Sequence, residues 1–225
     1  MRETYEELRE RMVREQLEAR GITDPRVLAA MRKVPRHHFV PRRHRAFAYD
    51  DCALPIWFGA TISQPLMVAM MAELLRIEGG EKTLEIGAGS GYQAAILCEL
   101  GANLITVERV PRLAAIAQNN LRRHGYDARV LCADGSIGLP EEAPFDRILF
   151  TASPPKMPKA YEDQLAPGGR IVGPVGSRAV QELVLVEKTP DGRVLRREYG
   201  GCQFLPLVGE QGWDEKELSN YRWEE

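Results

Sequence analysis

Long apolar runs are missing from this sequence. The longest unbroken one, Leu66–Ala72, falls far short of the ~18 residues that a membrane-spanning helix needs, so no membrane partner is expected. Cysteine is scarce and scattered: Cys52, Cys98, Cys132 and Cys202 form no C-x-x-C pair, which argues against a zinc site and a disulfide framework. Cys98 and Cys132 read as small buried apolar residues. Neither sign of charge dominates, with 30 Lys and Arg against 32 Asp and Glu for a net charge of −2. A nucleic-acid partner held by bulk charge is therefore disfavoured. The N-terminal stretch MRETYEELRERMVREQLEARG has no apolar leader core, so a cytoplasmic protein is expected. His37, His38, His44 and His124 show no metal-ligand spacing, and no metal is expected. What the chain does have is 44% hydrophobic residues in a length of 225, enough for a full core and too many for global disorder. That length suits one domain with an appendage.

The first part reads as helical. Leu8, Met12, Val13 and Leu17 share one face between Thr4 and Arg20, and Gly21 stands where a helix-ending glycine belongs. Asp24-Pro25 supplies a cap and a first-turn proline for a short helix through Arg32. Arg32–Arg45, rich in basic residues and proline, reads as a solvated, extended linker, with recognition of an acidic partner as the alternative. A helix from Gln64 to about Ile77 follows, with Ser63 as its side-chain cap. Short apolar runs at Thr83–Ile86, Leu104–Val107, Arg129–Ala133 and Arg147–Thr151 then alternate with helical stretches, of which Pro111–His124 is the clearest. This alternation predicts a doubly wound, mostly parallel α/β sheet with helices on both faces. Four late runs, Arg170–Val175, Glu182–Glu187, Val194–Glu198 and Gln203–Val208, have little helix between them and predict antiparallel C-terminal strands. Pro190-Asp191-Gly192 supplies the turn between two of them.

The densest chemical signal is Leu84-Glu85-Ile86-Gly87-Ala88-Gly89-Ser90-Gly91-Tyr92, at a strand-to-helix junction. Glycines there let the backbone approach a ligand, and the helix start offers free N–H groups. Dinucleotide sites place a small residue where Tyr92 stands. Gly87, Gly89 and Gly91, preceded by the acid Glu85, instead resemble the turn of S-adenosylmethionine-dependent methyltransferases. Glu108 ends the second run, seventeen residues past Gly91, where a carboxylate can accept two ribose hydroxyls. That acid is common to both ligand classes. Asp134 directly follows the third run and would accept from an adenine amino group, with Gly135 leaving space for the ring. Glu85 would face the ammonium of the methionine moiety, directly or through water. Each acid alone reads as a solvated loop carboxylate; three at successive strand ends beside a glycine turn favour a nucleoside, which this kind of fold binds at its carboxyl ends.

Ser153-Pro154-Pro155-Lys156 follows the fourth run where amine methyltransferases carry an aromatic last residue. Lys156 cannot stack on a base, so a nucleobase acceptor is disfavoured. The segment from Ala53 to Pro65 makes the resemblance specific. A-L-P-I and T-I-S-Q-P precede L-E-I-G-A-G-S-G-Y-Q-A-A (Leu84–Ala95). A-D-G-x-x-G-L-P-x-x-A-P-F-D (Ala133–Asp146), D-Q-L-A-P-G-G-R-I-V-x-P-V-G (Asp163–Gly176) and F-L-P-L-V (Phe204–Val208) follow. From about Met12 to Trp213 the chain resembles the protein-L-isoaspartate (D-aspartate) O-methyltransferase family. The resemblance implies a Rossmann-like methyltransferase sheet over 63–213, an N-terminal helical extension with a substrate-side loop over 1–62, and a tail at 214–225. It implies transfer of a methyl group from S-adenosyl-L-methionine, leaving S-adenosyl-L-homocysteine, to the free α-carboxylate of L-isoaspartyl residues in damaged proteins and peptides. The ester closes to a succinimide that can reopen as aspartate, hence a repair role. The family's active-site serine falls on Ser63, with Thr61 and Ile62 expected beside it in the acceptor pocket. Trp57, Ala60 and Ser153 depart from the family's usual residues and bear on peptide preference.

A carboxylic acid with a reference pKa near 4 is already an anion at neutral pH, so the acceptor needs no general base, and none stands out in the sequence. Position alone would make Ser63 a helix cap worth ~1 kcal/mol; the resemblance makes it the residue that orients the acceptor. Phe204–Leu207 reads as an internally paired segment, or as an edge for an extended peptide. The expected protein is a monomeric or weakly associated carboxyl methyltransferase acting on isoaspartyl proteins, with no nucleic-acid partner. The rivals are a methyltransferase for nucleic acid or small molecules using Arg32–Arg45, and a cofactor-binding module without turnover.

Overall fold

The computed structural model describes residues 3–218. Thr4 caps the first helix, α1 (Tyr5–Met12), by a reciprocal pair of bonds with Glu7. The helix runs on through a wider turn at Val13–Leu17 and a tight one at Glu18–Arg20, and Gly21 ends it at φ 92°. Asp24 accepts from Arg26 N to start α2 (Pro25–Lys33), as its Asp-Pro start predicts. The hairpin β1 (Leu54–Pro55) and β2 (Thr61–Ile62) then leads into α3 (Pro65–Leu75). The main body follows as β3 (Lys82–Ile86), α4 (Tyr92–Glu99), β4 (Asn103–Glu108), α5 (Pro111–Arg123), β5 (Arg129–Cys132), β6 (Phe145–Phe150), α6 (Lys159–Asp163), β7 (Leu165–Gly176), β8 (Gln181–Lys188) and β9 (Val194–Cys202).

The seven long strands lie in the order β5-β4-β3-β6-β7-β8-β9, parallel from β5 to β7 and antiparallel at the two C-terminal strands. The chain steps outward through β3, β4 and β5 and returns to pair β6 on the other side of β3. The crevice between the ends of β3 and β6 is the place where such sheets receive ligands. The two faces are covered unequally. Met12, Leu17, Val27 and Met31 from the extension share one core with α3, α4, α5 and the inward residues Leu149 and Val172. The opposite face, with Leu84, Ile86, Ile105, Val107, Ile148 and Phe150, is closed by Tyr161 of α6, Leu139 and Leu207.

Three expectations need correction. Arg32–Arg45 is not a solvated linker: it forms tight turns at Arg36–His38 and Arg42–Phe47, and Arg36, Phe39 and Val40 are buried. The Arg36 guanidinium lies 5.0 Å from the centre of the Tyr92 ring, and its Nε donates to Ala48 O, so cation–π and backbone contacts compensate part of its burial. Gln203–Val208 forms no strand of the sheet; Leu205 O and Leu207 N bond instead to Ser153 across the end of β6. Cys132 is exposed on the edge strand β5, and Cys98 is only partly buried.

His37, His38 and His124 pack as rings. Tyr5 stacks on His37 with centroids 4.0 Å apart, His38 stacks on His124 at 5.0 Å, and His37 Nδ1 lies 2.7 Å from the Tyr49 hydroxyl. Burial first, then His38, Arg9, Arg45 and His124, hold His37 down to about 4. His38 is lowered by burial, His124, Arg45, Arg123 and Arg9, and His124 by burial and Arg123. The unfolded chain therefore takes up protons near pH 6.5 that the fold refuses, and the stabilisation present above that pH is lost as pH falls toward 4. Thermal midpoints between pH 7.5 and 5 should show a shallower acid decline for His37→Phe, which keeps a flat ring, than for the parent. Parallel curves would contradict this.

Candidate active site

The glycine turn forms because its backbone takes left-handed conformations that glycine adopts without strain: Gly87, Gly89 and Gly91 stand at φ 93°, 55° and 87°. Their roles differ. A Cβ on Gly87 would overlap Thr151 Oγ1, which donates to Gly87 O at 2.7 Å and ties the turn to the end of β6. A Cβ on Gly91 would press on Ala117 O and on Leu121, each 3.3 Å away, so this glycine sets the approach of α4 to α5. Gly89 faces the cleft, with Ile56 of the hairpin nearby.

Glu108 is held by the same turn. Its two oxygens accept from Gly89 N at 2.9 Å and Val110 N at 3.0 Å, leaving each with a free lone pair. Burial pushes this carboxyl up, against the pull of the backbone N–H groups of Val110, Gly89 and Arg109. Glu85 lies one strand away, fully buried. Thr106 Oγ1 donates to its Oε2 at 2.5 Å, and its Oε1 has no partner. Burial raises it to about 8, Thr106 opposing and Glu108 adding. A cationic group brought near would return it to the carboxylate.

These elements line one cleft. The predicted residues Gly87, Gly89, Glu108, Gly135, Thr61, Ile62 and Ser63 all line it. Gly91, Glu85 and Asp134 do not line it. Asp134 accepts from Ser136 N at 2.8 Å and Glu210 N at 2.9 Å, so its carboxylate anchors the segment after Val208. Gly135 is small because Ile86 packs where its Cβ would be. Ser63 does not cap α3: the capping position belongs to Gln64, with no side-chain bond. That leaves the serine, half-buried at the cleft, available to a ligand.

Sequence reasoning gave no role to Phe58, Arg109, Val110, Leu113, Thr151 or Ala152, which also line the cleft. Thr151 and Ala152 had a signal, since they follow the strand that flanks the reversal in strand order. Leu205–Val208 forms another wall, but its backbone is engaged with Ser153 and Trp213. Trp57 and Ser153 border this region without lining the cleft, whereas Ala60 lines it. Arg109 at the rim is paired with Glu215 at 2.9 Å. Among the described residues no cluster of His, Cys, Asp or Glu could hold a metal ion, and no helix is long and apolar enough to cross a membrane.

The residues present fit a nucleoside with cationic groups: a fixed carboxylate with free lone pairs, a wall of glycine backbone, and an orphaned buried acid behind it. Comparisons with known proteins agree. The family model for protein-L-isoaspartate (D-aspartate) O-methyltransferase matches residues 7–212. A protein-L-isoaspartate O-methyltransferase of Methanopyrus kandleri is 54% identical over 219 residues, covering 95% of this chain and 96% of that protein. One of Syntrophobacter fumaroxidans is 52% identical over 211 residues, covering 93% and 98%. A solved protein-L-isoaspartate O-methyltransferase superposes with a TM-score of 0.80 at 28% identity, covering 91% of this chain and 67% of that one. The fold also matches a Plasmodium falciparum structure described as a complex with S-adenosyl-L-homocysteine, at a TM-score of 0.75, 24% identity and coverage of 92% and 99%. Matched along nearly its whole length, the chain belongs to the protein-L-isoaspartate (D-aspartate) O-methyltransferase family.

Proposed function

We propose that this protein transfers a methyl group from S-adenosyl-L-methionine to the free α-carboxylate of L-isoaspartyl residues in damaged proteins and peptides, a repair reaction that leaves S-adenosyl-L-homocysteine. The observation that carries the reading is that the glycine turn with Glu108 and the Thr61-Ile62-Ser63 segment line one cleft. Glu108 holds the ribose hydroxyls, Gly87 and Gly89 accommodate the methionine portion, and Glu85 answers its ammonium from behind the turn. Gly91 and Gly135 keep the walls close, and Asp134 steadies the adenine end. Bound there, S-adenosyl-L-methionine supplies an electrophilic methyl group on a sulfonium.

The chain's own part is alignment. The acceptor arrives as a carboxylate and gives up no proton. The Ser63 hydroxyl donates to one of its oxygens and turns the other toward the methyl, with help from N–H groups at the start of α3. Thr61 and Ile62 bound the acceptor, and Ile62, Leu205 and Leu207 exclude water from both ions. Residues 1–62 thus bring the acceptor side and 63–213 the nucleoside side; of the tail, 219–225 lie outside the described residues. We take the working unit to be a monomer, since one chain carries both sides of the cleft. Four free cysteines suit a reducing cytoplasm.

The test is transfer of labelled methyl from S-adenosyl-L-methionine to an isoaspartyl peptide, its aspartyl twin and RNA. Label on the isoaspartyl peptide alone supports the reading. Equal labelling of the twin, or label on RNA only, overturns it.

A further inference from the structure

Two residues, one lining the cleft and one beside it, break local rules, and they meet each other. Phe58, in the turn between β1 and β2, is held at φ 55°, a left-handed conformation that costs a residue other than glycine on the order of 1 kcal/mol. Arg112 stands in the first turn of α5, where no acidic residue is present. A cation there faces the positive end of the helix dipole, the wrong sign for stability. The Arg112 guanidinium lies over the Phe58 ring, 4.5 Å from its centre, inside the range of a cation–π contact. Two unfavourable local choices that converge on one contact mark a functional device more often than a packing accident.

The place of the contact gives its use. Arg112 lies on the segment that leaves Glu108, and Phe58 lines the same cleft as Glu108, Arg109 and Val110. The other end of the hairpin continues directly into Thr61 and Ser63. The pair joins two chain segments that are far apart in sequence, one lining the cleft and the other continuing from its Glu108 wall.

We propose that the Phe58–Arg112 contact is a latch that retains the nucleoside, so that it must open before S-adenosyl-L-homocysteine can leave. This rests on the methyltransferase reading above. The latch acts on residence and not on the acceptor: the contact is made by Phe58 and Arg112, without Ser63 or Thr61, and peptide binding should not depend on it.

The experiment is release of labelled S-adenosyl-L-homocysteine into an excess of unlabelled compound, for the parent, Arg112→Gln, Phe58→Leu, Phe58→Tyr and the Gln/Leu double variant. Failure of the parent to bind S-adenosyl-L-homocysteine would overturn the methyltransferase reading itself, and the latch with it. Given binding, Arg112→Gln and Phe58→Leu should each speed release about three- to thirty-fold. The double variant should be no faster than the faster single, and Phe58→Tyr, which keeps a ring face for the cation, should stay near the parent. Arg112→Gln should leave the thermal midpoint unchanged or raised, because it removes a cation from a helix start; KM for an isoaspartyl peptide should not move. Unchanged release in Arg112→Gln, single effects that multiply in the double variant, or a fall in its thermal midpoint matching the loss of retention would overturn the latch and leave the pair a structural contact.

Discussion

Ser63→Ala should lose about a hundredfold in kcat while its thermal midpoint stays within ~1 °C of the parent. The small stability effect follows from the start of α3. Pro65 occupies the first helical position and Gln64 the cap, so the Ser63 hydroxyl closes no backbone bond of the helix. The large kinetic effect has a particular origin. During methyl transfer the acceptor carboxylate loses its charge, so a hydrogen bond to it weakens toward the transition state and cannot act by stabilising charge. What the serine contributes is aim: it fixes one oxygen so that the other lies in line with the methyl group. A displacement of about 1 Å is enough for a loss of this size. KM for the peptide should therefore change less than kcat. A melting point lowered by several degrees with normal turnover would show that the serine supports structure only.

Glu108→Ala should weaken S-adenosyl-L-homocysteine binding at least about a hundredfold, the worth of two hydrogen bonds to a charged acceptor. It should also lower the melting point, because Gly89 N and Val110 N each lose their partner on the carboxylate. These two effects must be separated, since a loosened turn would itself weaken binding. A dideoxy analogue lacking both ribose hydroxyls does so. The parent should bind the analogue much more weakly than the natural compound, whereas Glu108→Ala should hardly distinguish them. Equal discrimination by both proteins would mean that Glu108 only shapes the turn.

The parallel strands were legible in the sequence because each is a short apolar run before a glycine, an acid or a helix start, and burial on both faces demands that pattern. Gly21 and Asp24-Pro25 announced their helix ends for equally local reasons. Ser63 reads as a cap from its place ahead of the helix, although Pro65 carries the better signal: a proline at the first helical position makes its predecessor, Gln64, the cap. In Arg32–Arg45 the count of charges concealed Arg36 and Phe39, whose burial depends on Tyr92, far along the chain. Asp134 reads as a ligand-facing acid from its place after a strand, and nothing local reveals that Glu210 N competes for it. Phe58 and Arg112 belong to the same class, since a backbone angle and a contact between remote segments leave no trace in composition or periodicity. The site was readable where one strand end makes it and unreadable where two distant segments share it.

The central claim is geometric, and a crystal of the protein with S-adenosyl-L-homocysteine and an isoaspartyl peptide tests it directly. The account predicts ribose hydroxyls on the Glu108 carboxylate, sulfur beside the Gly87–Gly89 backbone, and the α-carboxylate within hydrogen-bonding distance of Ser63 Oγ with one oxygen pointing at the sulfur. A nucleoside seated away from Glu108, or a peptide carboxylate held by groups other than Ser63, would contradict it.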